Sequence, residues 1–323
     1  MKLLDVYAKL NKDINRIEQM MDVSIRSENE TLNEAALHLL KAGGKRIRPV
    51  FVLLAGQFGH YDLDRLANIA VTLELIHMAT LVHDDVIDEA SLRRGKPTVQ
   101  AKWDERVAMY TGDYLLAKAL TVATRLEQPE IHRILSKAMV QIAVGEMEQI
   151  RLFNRLDQSI RDYLLRIRRK TALLIAVSCQ LGALAAGASR PVAQQLYSFG
   201  YNAGMAFQIR DDILDIKGTE KQLGKPPGSD MRQGNITLPV LYAIRDDQQI
   251  LQAVKKAIDA GETDAESLKR AIALVKTSKG MEEAEALSHR YIDKAIAALD
   301  KLPDVPAKND FIAIARFIAD RSY

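Results

Sequence analysis

Residues 73–88 read LELIHMATLVHDDVID, an almost wholly apolar run that ends in three carboxylates, Asp84, Asp85 and Asp88. Side chains at positions i, i+1 and i+4 of a helix project into one sector, so the three charges would lie together. Like charges at the end of a buried segment repel one another, which predicts a positive partner. Carboxylates on a rigid helix suit Mg²⁺, which completes its shell with water and substrate phosphates. A solvated acidic helix end is the alternative for one motif taken alone.

A second acidic run makes that alternative weaker. Residues 206–215 read AFQIRDDILD and carry Asp211, Asp212 and Asp215 in the same DDxxD spacing, again after apolar residues. Two such triads on apolar helices indicate two walls of one cavity that holds metal ions between them. Carboxylate clusters bridged by Mg²⁺ can bind a diphosphate, with the metal acting as a Lewis acid on the leaving group.

Composition sets limits on the class of protein. The 323 residues carry a formal net charge of +3, with 48% hydrophobic and 27% charged residues, which is typical of a soluble globular protein with a large core. This charge is too small to argue for nucleic acid or a membrane surface. The single cysteine, Cys179, excludes an intramolecular disulfide and fits the cytoplasm. Its apolar surroundings favour a small core residue over a nucleophile.

The hydrophobic periodicity is helical almost throughout, and no segment alternates as a strand would. No signal peptide is evident, and no stretch is long and apolar enough to cross a bilayer. We expect a single all-α domain over residues 1–323, with about ten or more helices. Helices are predicted near 32–41, 64–88, 98–125, 130–153 and 159–187, the last opened by a Ser159–Asp162 capping box, with others starting at Pro49 and Pro191.

The helical pattern fails at residues 218–236, GTEKQLGKPPGSDMRQGNI. Long loops inside a compact domain are usually lids, binding loops or disordered linkers. Because this one follows the second acidic triad directly, we interpret it as a lid over the metal site.

Two basic clusters would supply cations for an anionic substrate. Lys45, Arg46 and Arg48 lie in GGKRIRP between two helices, and Arg93 with Arg94 follows the first acidic triad. Arginine binds diphosphate oxygens bidentately, whereas lysine acts as a point charge. Ordinary surface charge would explain either cluster alone.

Taken in order, these motifs resemble the trans-isoprenyl diphosphate synthases over most of the chain. The resemblance rests on GGKRIRP, LxxDDxxD followed by Arg93-Arg94, the pair Lys170-Thr171, FQxxDDxxD and GKPxGxD. It implies a homodimeric or heterodimeric protein with the class I isoprenoid synthase fold, a helical bundle whose central cavity lies between two Asp-rich helices. It also implies Mg²⁺ bridging an allylic diphosphate to both acidic motifs.

The resemblance assigns roles by position. Metal ligands would be Asp84, Asp85, Asp88, Asp211 and Asp215, and these aspartates with Asp212, Lys170 and Lys225 would be the catalytic set. The allylic diphosphate would contact Arg93, Lys170, Thr171, Gln208 and Lys225. The diphosphate of isopentenyl diphosphate would contact Lys45, Arg48, His77 and Arg94. Without the resemblance, His77 would remain unassigned, since a lone histidine on an apolar helix is more often a core group.

The implied reaction is condensation of an allylic diphosphate, farnesyl diphosphate in our interpretation, with successive isopentenyl diphosphates. Two rivals are a class I terpene cyclase, which has no use for a second basic diphosphate site, and a non-catalytic regulatory subunit. Both acidic triads are intact, which disfavours the regulatory subunit.

One departure from the family pattern bears on partners. Where the family commonly has GKxT after the GKPxGxD motif, this chain has GNIT, with Asn235 in place of lysine. The same change occurs in the large subunits of two-component hexaprenyl and heptaprenyl diphosphate synthases, and the heptaprenyl type resembles this chain most. We therefore expect a small dissimilar subunit to be needed for full activity.

Product length depends on the residues before Asp84. Ala79 and Thr80 would line the first turn of a tunnel along this helix, and Ile76 the next turn. None is aromatic, so a product of the hexaprenyl to heptaprenyl class is expected, as used for quinone side chains such as that of menaquinone. A shorter, geranylgeranyl product and simple packing of Ala79 against a helix are the alternatives.

Overall fold

The fold is all-α, as the periodicity predicts. The computed structural model describes residues 3–219, 226–260 and 264–321. Its contacts divide the chain into two compact units, and the single domain expected from sequence stays a prediction. Unit 1 comprises Met1–Ser136, Val177–Tyr197 and Leu302–Phe311, and unit 2 comprises Lys137–Ala176, Ser198–Lys301 and Ile312–Tyr323.

The elements follow one another in chain order. Those up to residue 123 are α1 (Leu3–Ser24), α2 (Glu30–Lys41), α3 (Ile47–Gly56), α4 (Leu63–Ile87), β1 (Leu92–Arg93), β2 (Lys96–Pro97), α5 (Val99–Lys102) and α6 (Glu105–Ala123). Then come α7 (Pro129–Leu152), α8 (Ile160–Ile167), a π-helical turn (Arg168–Ala172), α9 (Leu173–Ala185) and α10 (Arg190–Lys217). The last described helices are α11 (Ser229–Arg232), α12 (Leu238–Asp246), α13 (Gln248–Ala260), α14 (Ala265–Lys276), α15 (Lys279–Asp300) and α16 (Pro306–Asp320).

Helix α4 is the core of unit 1. Its buried residues cover every side of the helix, and it packs against α1, α3 and α6, as expected of a helix that is apolar all round. Contact with α6 is close at Gly112, where a Cβ atom would lie 2.2 Å from His83 Nε2. Glycine at that position therefore lets the two helices approach.

The expectation about membrane-crossing segments was wrong for this helix. By length and composition α4 could cross a bilayer, but 72% of its most apolar window is buried inside the protein. Its length and apolar composition are those of a membrane span because a central core helix needs apolar residues on all sides. Among the described residues, α4 is the one helix that is both long and apolar enough to cross a membrane.

Two predicted helices are interrupted. The helix expected over 98–125 is split because Asp104 caps α6, its side chain accepting a hydrogen bond from Val107 N at 2.7 Å. The helix expected over 159–187 contains the π-helical turn, although its predicted Ser159–Asp162 capping box is present. Pro49 also lies two residues inside α3 rather than at its start.

A short hairpin follows the first acidic triad and was not predicted. Strands β1 and β2 pair antiparallel, joined by Arg94 and Gly95, which have φ angles of 54° and 74°. Two consecutive left-handed residues are the mark of a type I′ turn. The hairpin sets the directions of Arg93 and Arg94.

Unit 2 has its own apolar core. Buried residues of α8, α10, α12, α13 and α14 form one cluster that includes Tyr163, Ile209 and Leu241. The segment expected as an unstructured loop, 218–236, contains the helical turn α11, so that part of the prediction was wrong. Residues 220–225 of it lie outside the described residues, and its role as a lid stays a prediction.

Candidate diphosphate and metal site

The first acidic cluster lies at the C-terminal end of α4, as predicted. Asp84 and Asp85 are 9% and 2% exposed, and Asp88 is the half-buried C-cap. The negative end of the helix dipole adds to these carboxylates and favours a cation there. Within the described ranges no three Asp, Glu, His or Cys side chains are arranged to hold a metal ion by themselves. This donor set fits Mg²⁺, which is usually bound through one or two carboxylates, with water and phosphate oxygens completing its shell.

Asp85 is already paired with a cation. Arg93 on β1 places Nε and Nη2 each 2.7 Å from Asp85 Oδ1. Burial raises the pKa of Asp85 above its usual value, and the hydrogen bond from Arg93 opposes that rise. The hairpin therefore joins an expected phosphate ligand to an expected metal ligand within unit 1.

A basic cluster forms around α3, α4 and the hairpin. Arg94 packs against the backbone of Gly44, where a Cβ atom would lie 2.7 Å from its Nη1. Burial lowers the pKa of Arg48 to about 10, and its Nε is buried without a hydrogen-bond partner in the described structure. Arg48 remains charged at neutral pH, and its unsatisfied donor is suited to an anion.

His77 lies within reach of the same charges. Burial, followed by the positive charges of Arg48 and Arg94, lowers its pKa well below 6.5. The imidazole is consequently neutral at pH 7, with one ring N–H available as a donor. The structure thus places His77 close enough to Arg48 and Arg94 for their charges to act on it, and the shared diphosphate site expected of them stays a prediction. Lys45 is exposed on the same loop.

Arg46 differs from the other members of its motif. Its side chain is 6% exposed and pairs with Glu18 and Glu74 rather than facing solvent. Sequence reasoning grouped it with the cations expected at a phosphate site, because its two partners lie 28 residues away in either direction and no local pattern marks them. Arg46 is therefore part of the core of unit 1.

The residues expected to control product length are mostly buried. Ile76 and Ala79 are 3% and 2% exposed, and the Thr80 hydroxyl donates to His77 O at 2.8 Å. Thr80 thus turns its hydroxyl back to its own helix. The tunnel along this face stays a prediction.

The second acidic cluster lies on α10 in unit 2. Asp211 pairs with Arg321, and Asp215 accepts hydrogen bonds from Ser229 Oγ at 2.8 Å and from Asp230 N at 3.3 Å. The loop after α10 thus returns to its own acidic motif. Asp211 and Asp215 offer the same type of carboxylate donors as the first cluster.

Asp212 has a different environment from its neighbours. It is 2% exposed, and it accepts hydrogen bonds from Tyr163 Oη at 2.6 Å and from Gln208 Nε2 at 2.9 Å. Burial raises its pKa to about 8, and the negative charge of Asp230 adds to the rise. The geometry makes Asp212 a residue that orients its neighbours.

The predicted allylic-diphosphate ligands of unit 2 lie close together. Thr171 Oγ1 donates to Gln208 Oε1 at 2.7 Å, so Thr171, Gln208 and Asp212 form one hydrogen-bonded chain. Lys170 Nζ lies 3.1 Å from Glu146 Oε2. Both Lys170 and Thr171 lie in the π-helical turn, and turns of this kind are frequent at functional sites. Lys225 lies outside the described residues.

Several partners of these groups were missed by sequence reasoning. They are Glu74, Glu146, Tyr163, Ser229 and Arg321. The Gln208–Asp212 contact has a sequence signal, since residues at i and i+4 are neighbours on a helix. The others come from distant elements, and no local pattern marks them.

Comparison with known proteins gives a family match. The polyprenyl synthetase family model matches residues 29–275. The chain is 55% identical to heptaprenyl diphosphate synthase component 2 of Geobacillus stearothermophilus, over 100% of both chains.

Solved structures agree with the fold. Heptaprenyl diphosphate synthase from Staphylococcus aureus is similar with a TM-score of 0.92 and 38% identity, covering 97% of this chain and 99% of that one. A polyprenyl synthase from Caulobacter crescentus CB15, complexed with calcium and isoprenyl diphosphate, has a TM-score of 0.94 and 32% identity. The alignment with this structure covers 100% of the present chain and 98% of the Caulobacter chain. The class I helical fold expected from the sequence is thereby confirmed.

Proposed function

The chain belongs to the polyprenyl synthetase family, and on that premise we propose that it is a prenyltransferase that makes a long all-trans polyprenyl diphosphate. Its substrates are an allylic diphosphate, farnesyl diphosphate in this proposal, and successive molecules of isopentenyl diphosphate. The observation that carries the proposal is the basic cluster in unit 1, where a neutral His77 lies among arginine side chains, with Arg93 paired to the first acidic motif. A diphosphate beside a metal-binding carboxylate cluster is what this chemistry requires.

In unit 1 we assign Asp84, Asp85 and Asp88 to Mg²⁺. Arg93 contacts the allylic diphosphate, and its existing contact with Asp85 supports that role. Lys45, Arg48, His77 and Arg94 bind the diphosphate of isopentenyl diphosphate. The buried, unpaired Nε of Arg48 supports this assignment, because it gains a partner on binding.

In unit 2 we assign Asp211 and Asp215 to Mg²⁺, and Lys170, Thr171, Gln208 and Lys225 to the allylic diphosphate. Asp212 fixes Gln208 and, through it, Thr171. When bound, Mg²⁺ supplies Lewis-acid stabilisation of the departing diphosphate.

The reaction breaks the C1–O bond of the allylic substrate. Arg93 stabilises the negative charge that develops on the diphosphate, an electrostatic form of catalysis. The double bond of isopentenyl diphosphate then attacks C1, and loss of a proton leaves an allylic diphosphate that is one isoprene unit longer. The product can react again, so the length of its tunnel sets where growth ends.

We propose a heptaprenyl or hexaprenyl product for a quinone side chain such as that of menaquinone. The support is the small Ala79 on α4 and the 55% identity to a heptaprenyl diphosphate synthase component. Catalysis in the cytoplasm is consistent with a single cysteine, Cys179, which is buried.

The experiment is consumption of farnesyl diphosphate by the purified chain with Mg²⁺, in the presence and in the absence of isopentenyl diphosphate. The proposal predicts consumption only when isopentenyl diphosphate is present. Consumption of the allylic substrate alone would instead indicate a terpene cyclase.

We also propose that full activity requires a small, dissimilar partner subunit, in addition to any homodimer. Asn235 supports this, because the uncharged amide cannot replace a lysine over the diphosphate, and the name "component 2" of the Geobacillus relative implies a partner there.

A surface suited to a partner is the α7 stripe, which comprises Val140, Val144, Met147 and Ile150. These residues follow helical spacing and are between 39% and 66% exposed.

Two variants test the partner proposal. Asn235→Lys restores the charge and is expected to raise the activity of the isolated chain. Met147→Asp is expected to abolish stimulation by the partner component, whereas Val23→Asp, at an exposed position of α1, leaves it intact. Full long-chain synthesis by the isolated wild-type chain would refute the requirement for a partner.

A further inference from the structure

Arg46 and Glu74 form a buried ion pair next to the proposed isopentenyl diphosphate ligands. Arg46 Nη1 lies 3.3 Å from Glu74 Oε1, and the two side chains are 6% and 3% exposed. Arg46 also donates from Nε to Glu18 Oε1 at 3.0 Å and from Nη2 to Leu40 O at 3.2 Å. One guanidinium thereby joins α1, α2 and α4.

The backbone at Arg46 needs such support. Its φ of 48° and ψ of 36° lie in the left-handed region, which is unfavourable for a residue with a Cβ atom. Such conformations persist when surrounding structure fixes them. Three side-chain contacts fix Arg46 immediately before α3, the helix whose second residue is Arg48.

The backbone of the neighbouring Lys45 is held by a further contact from α1. Tyr7 Oη donates a hydrogen bond to Lys45 O. Burial, and then the negative charge of Glu74, raise the pKa of Tyr7 to about 12, which keeps its hydroxyl proton available for donation. The loop that carries Lys45 and leads into Arg48 at the start of α3 is thus held by α1 and α4.

Glu74 also acts on the arginines that it does not touch. Its charge favours the charged forms of Arg48 and Arg94, against the burial that lowers their pKa values. Its Oε2 has no hydrogen-bond partner in the described structure. Since a buried carboxylate is costly unless it is paired, its place among arginines indicates a counter-ion rather than a substrate ligand.

We propose that Arg46 and Glu74 are positioning residues for isopentenyl diphosphate, and that their ion pair fixes the loop that carries Lys45 and leads into Arg48 at the start of α3, the two residues that contact the diphosphate. Neither side chain contacts the substrate. This inference rests on the proposed function and adds residues that the motif alone would misassign, since Arg46 lies in the same basic cluster as the substrate ligands.

Glu74→Gln separates positioning from simple electrostatics. If Glu74 only contributed charge, its removal would strengthen anion binding and lower the KM for isopentenyl diphosphate. Positioning predicts the opposite, a KM about tenfold higher, because small displacements of binding groups are costly. The KM for farnesyl diphosphate is expected to change less than about twofold, since its ligands do not depend on this loop.

The arginine is tested in the same assay. Arg46→Met is expected to raise the same KM by a similar factor, and Arg46→Lys to recover part of the loss. The double variant Arg46→Met with Glu74→Gln is expected to raise the KM for isopentenyl diphosphate no further than Arg46→Met alone does, since the effects of paired residues are not additive. Tyr7→Phe, a milder change that leaves the ion pair intact, is expected to raise the same KM to a smaller extent. It keeps the test valid if the larger changes unfold the chain.

Arg26→Met, at an exposed arginine just after α1, is the matched control and is expected to leave both KM values unchanged. The inference is overturned if Glu74→Gln lowers or leaves unchanged the KM for isopentenyl diphosphate, or if both KM values rise together. If the wild-type chain fails to incorporate isopentenyl diphosphate both alone and with its partner component, the proposed function fails instead.

Discussion

Arg93 contacts Asp85 through two nitrogen atoms, with Nε and Nη2 both 2.7 Å from Oδ1. One residue is the proposed phosphate ligand and the other a proposed metal ligand. Their contact depends on the hairpin after α4, which turns the chain back so that Arg93 reaches the helix end. A diphosphate carrying Mg²⁺ can replace this ion pair on both sides, offering anionic oxygens to Arg93 and a cation to Asp85.

Asp84→Asn is expected to lower turnover by about a hundredfold or more, because it removes a ligand of the ion that stabilises the leaving group. Helical content by circular dichroism is expected to stay unchanged, since Asp84 lies at the end of α4. Asp64→Asn, at an exposed position in the first turn of the same helix, is the control. Wild-type turnover in Asp84→Asn would exclude Asp84 from the metal site.

Arg321→Ala removes the ion pair with Asp211 on α10. The concentration of Mg²⁺ that gives half-maximal activity is expected to fall about two- to fivefold, since a partly exposed ion pair contributes up to about 1 kcal/mol. The measurement is a Mg²⁺ titration of the rate at saturating substrates. Arg316→Ala, at an exposed position on α16, is the control and should leave the titration unchanged. An increased Mg²⁺ requirement in Arg321→Ala would show that Arg321 does not compete with Mg²⁺ for Asp211.

His77 is expected to act as a neutral donor. Because its pKa lies well below 6.5 in the folded protein, the KM for isopentenyl diphosphate should not change with its titration between pH 6 and 8. His77→Gln keeps an N–H donor and should retain that KM within about threefold, whereas His77→Leu should raise it up to about tenfold, the range of one hydrogen bond. A rise in wild-type affinity as the pH falls through 6.5 would show that the charged form binds.

The same shift affects stability. A histidine whose pKa is lowered by folding stabilises the native state above its unfolded pKa, and this stabilisation is lost as the pH falls below it. His77→Leu should therefore lose less stability than wild type between pH 7 and 5, as measured by denaturant unfolding. Equal losses in both proteins would contradict the assigned pKa shift.

Ala79→Tyr tests the tunnel along α4. The added ring should shorten the product towards geranylgeranyl or farnesyl diphosphate while condensation continues. Because Ala79 is 2% exposed, some loss of stability from overpacking is expected, typically about 1–3 kcal/mol. Ala117→Tyr, at an exposed position of α6, controls for the ring itself. If Ala79→Tyr makes the parent length, the tunnel lies elsewhere.

The sequence was sufficient for the helices and both acidic motifs, because apolar periodicity and clustered carboxylates are local patterns. Asp84 and Asp211 each end a recognisable apolar run, so their positions on helices followed directly. The partner of Asp211 could not be found in this way, since Arg321 lies 110 residues away.

The burial of Arg46 also depends on partners that are distant in the sequence, so it could not be predicted from local patterns. Its motif is a row of cations, and the sequence contains nothing that separates a buried arginine from its exposed neighbour Lys45. Burial depends on Glu18 and Glu74, which reach it only after α1 and α4 pack. The π-helical turn at Lys170 and Thr171 is equally hidden, because it interrupts an otherwise continuous helical pattern.

The most direct test of the central claim is the product made from labelled isopentenyl diphosphate and farnesyl diphosphate with Mg²⁺, by the chain alone and with its partner component. Product length is read by chromatography after removal of the diphosphate. The account predicts label in a polyprenyl chain of the hexaprenyl to heptaprenyl class, with low yield from the chain alone and full yield with the partner. No incorporation of label under either condition would contradict it.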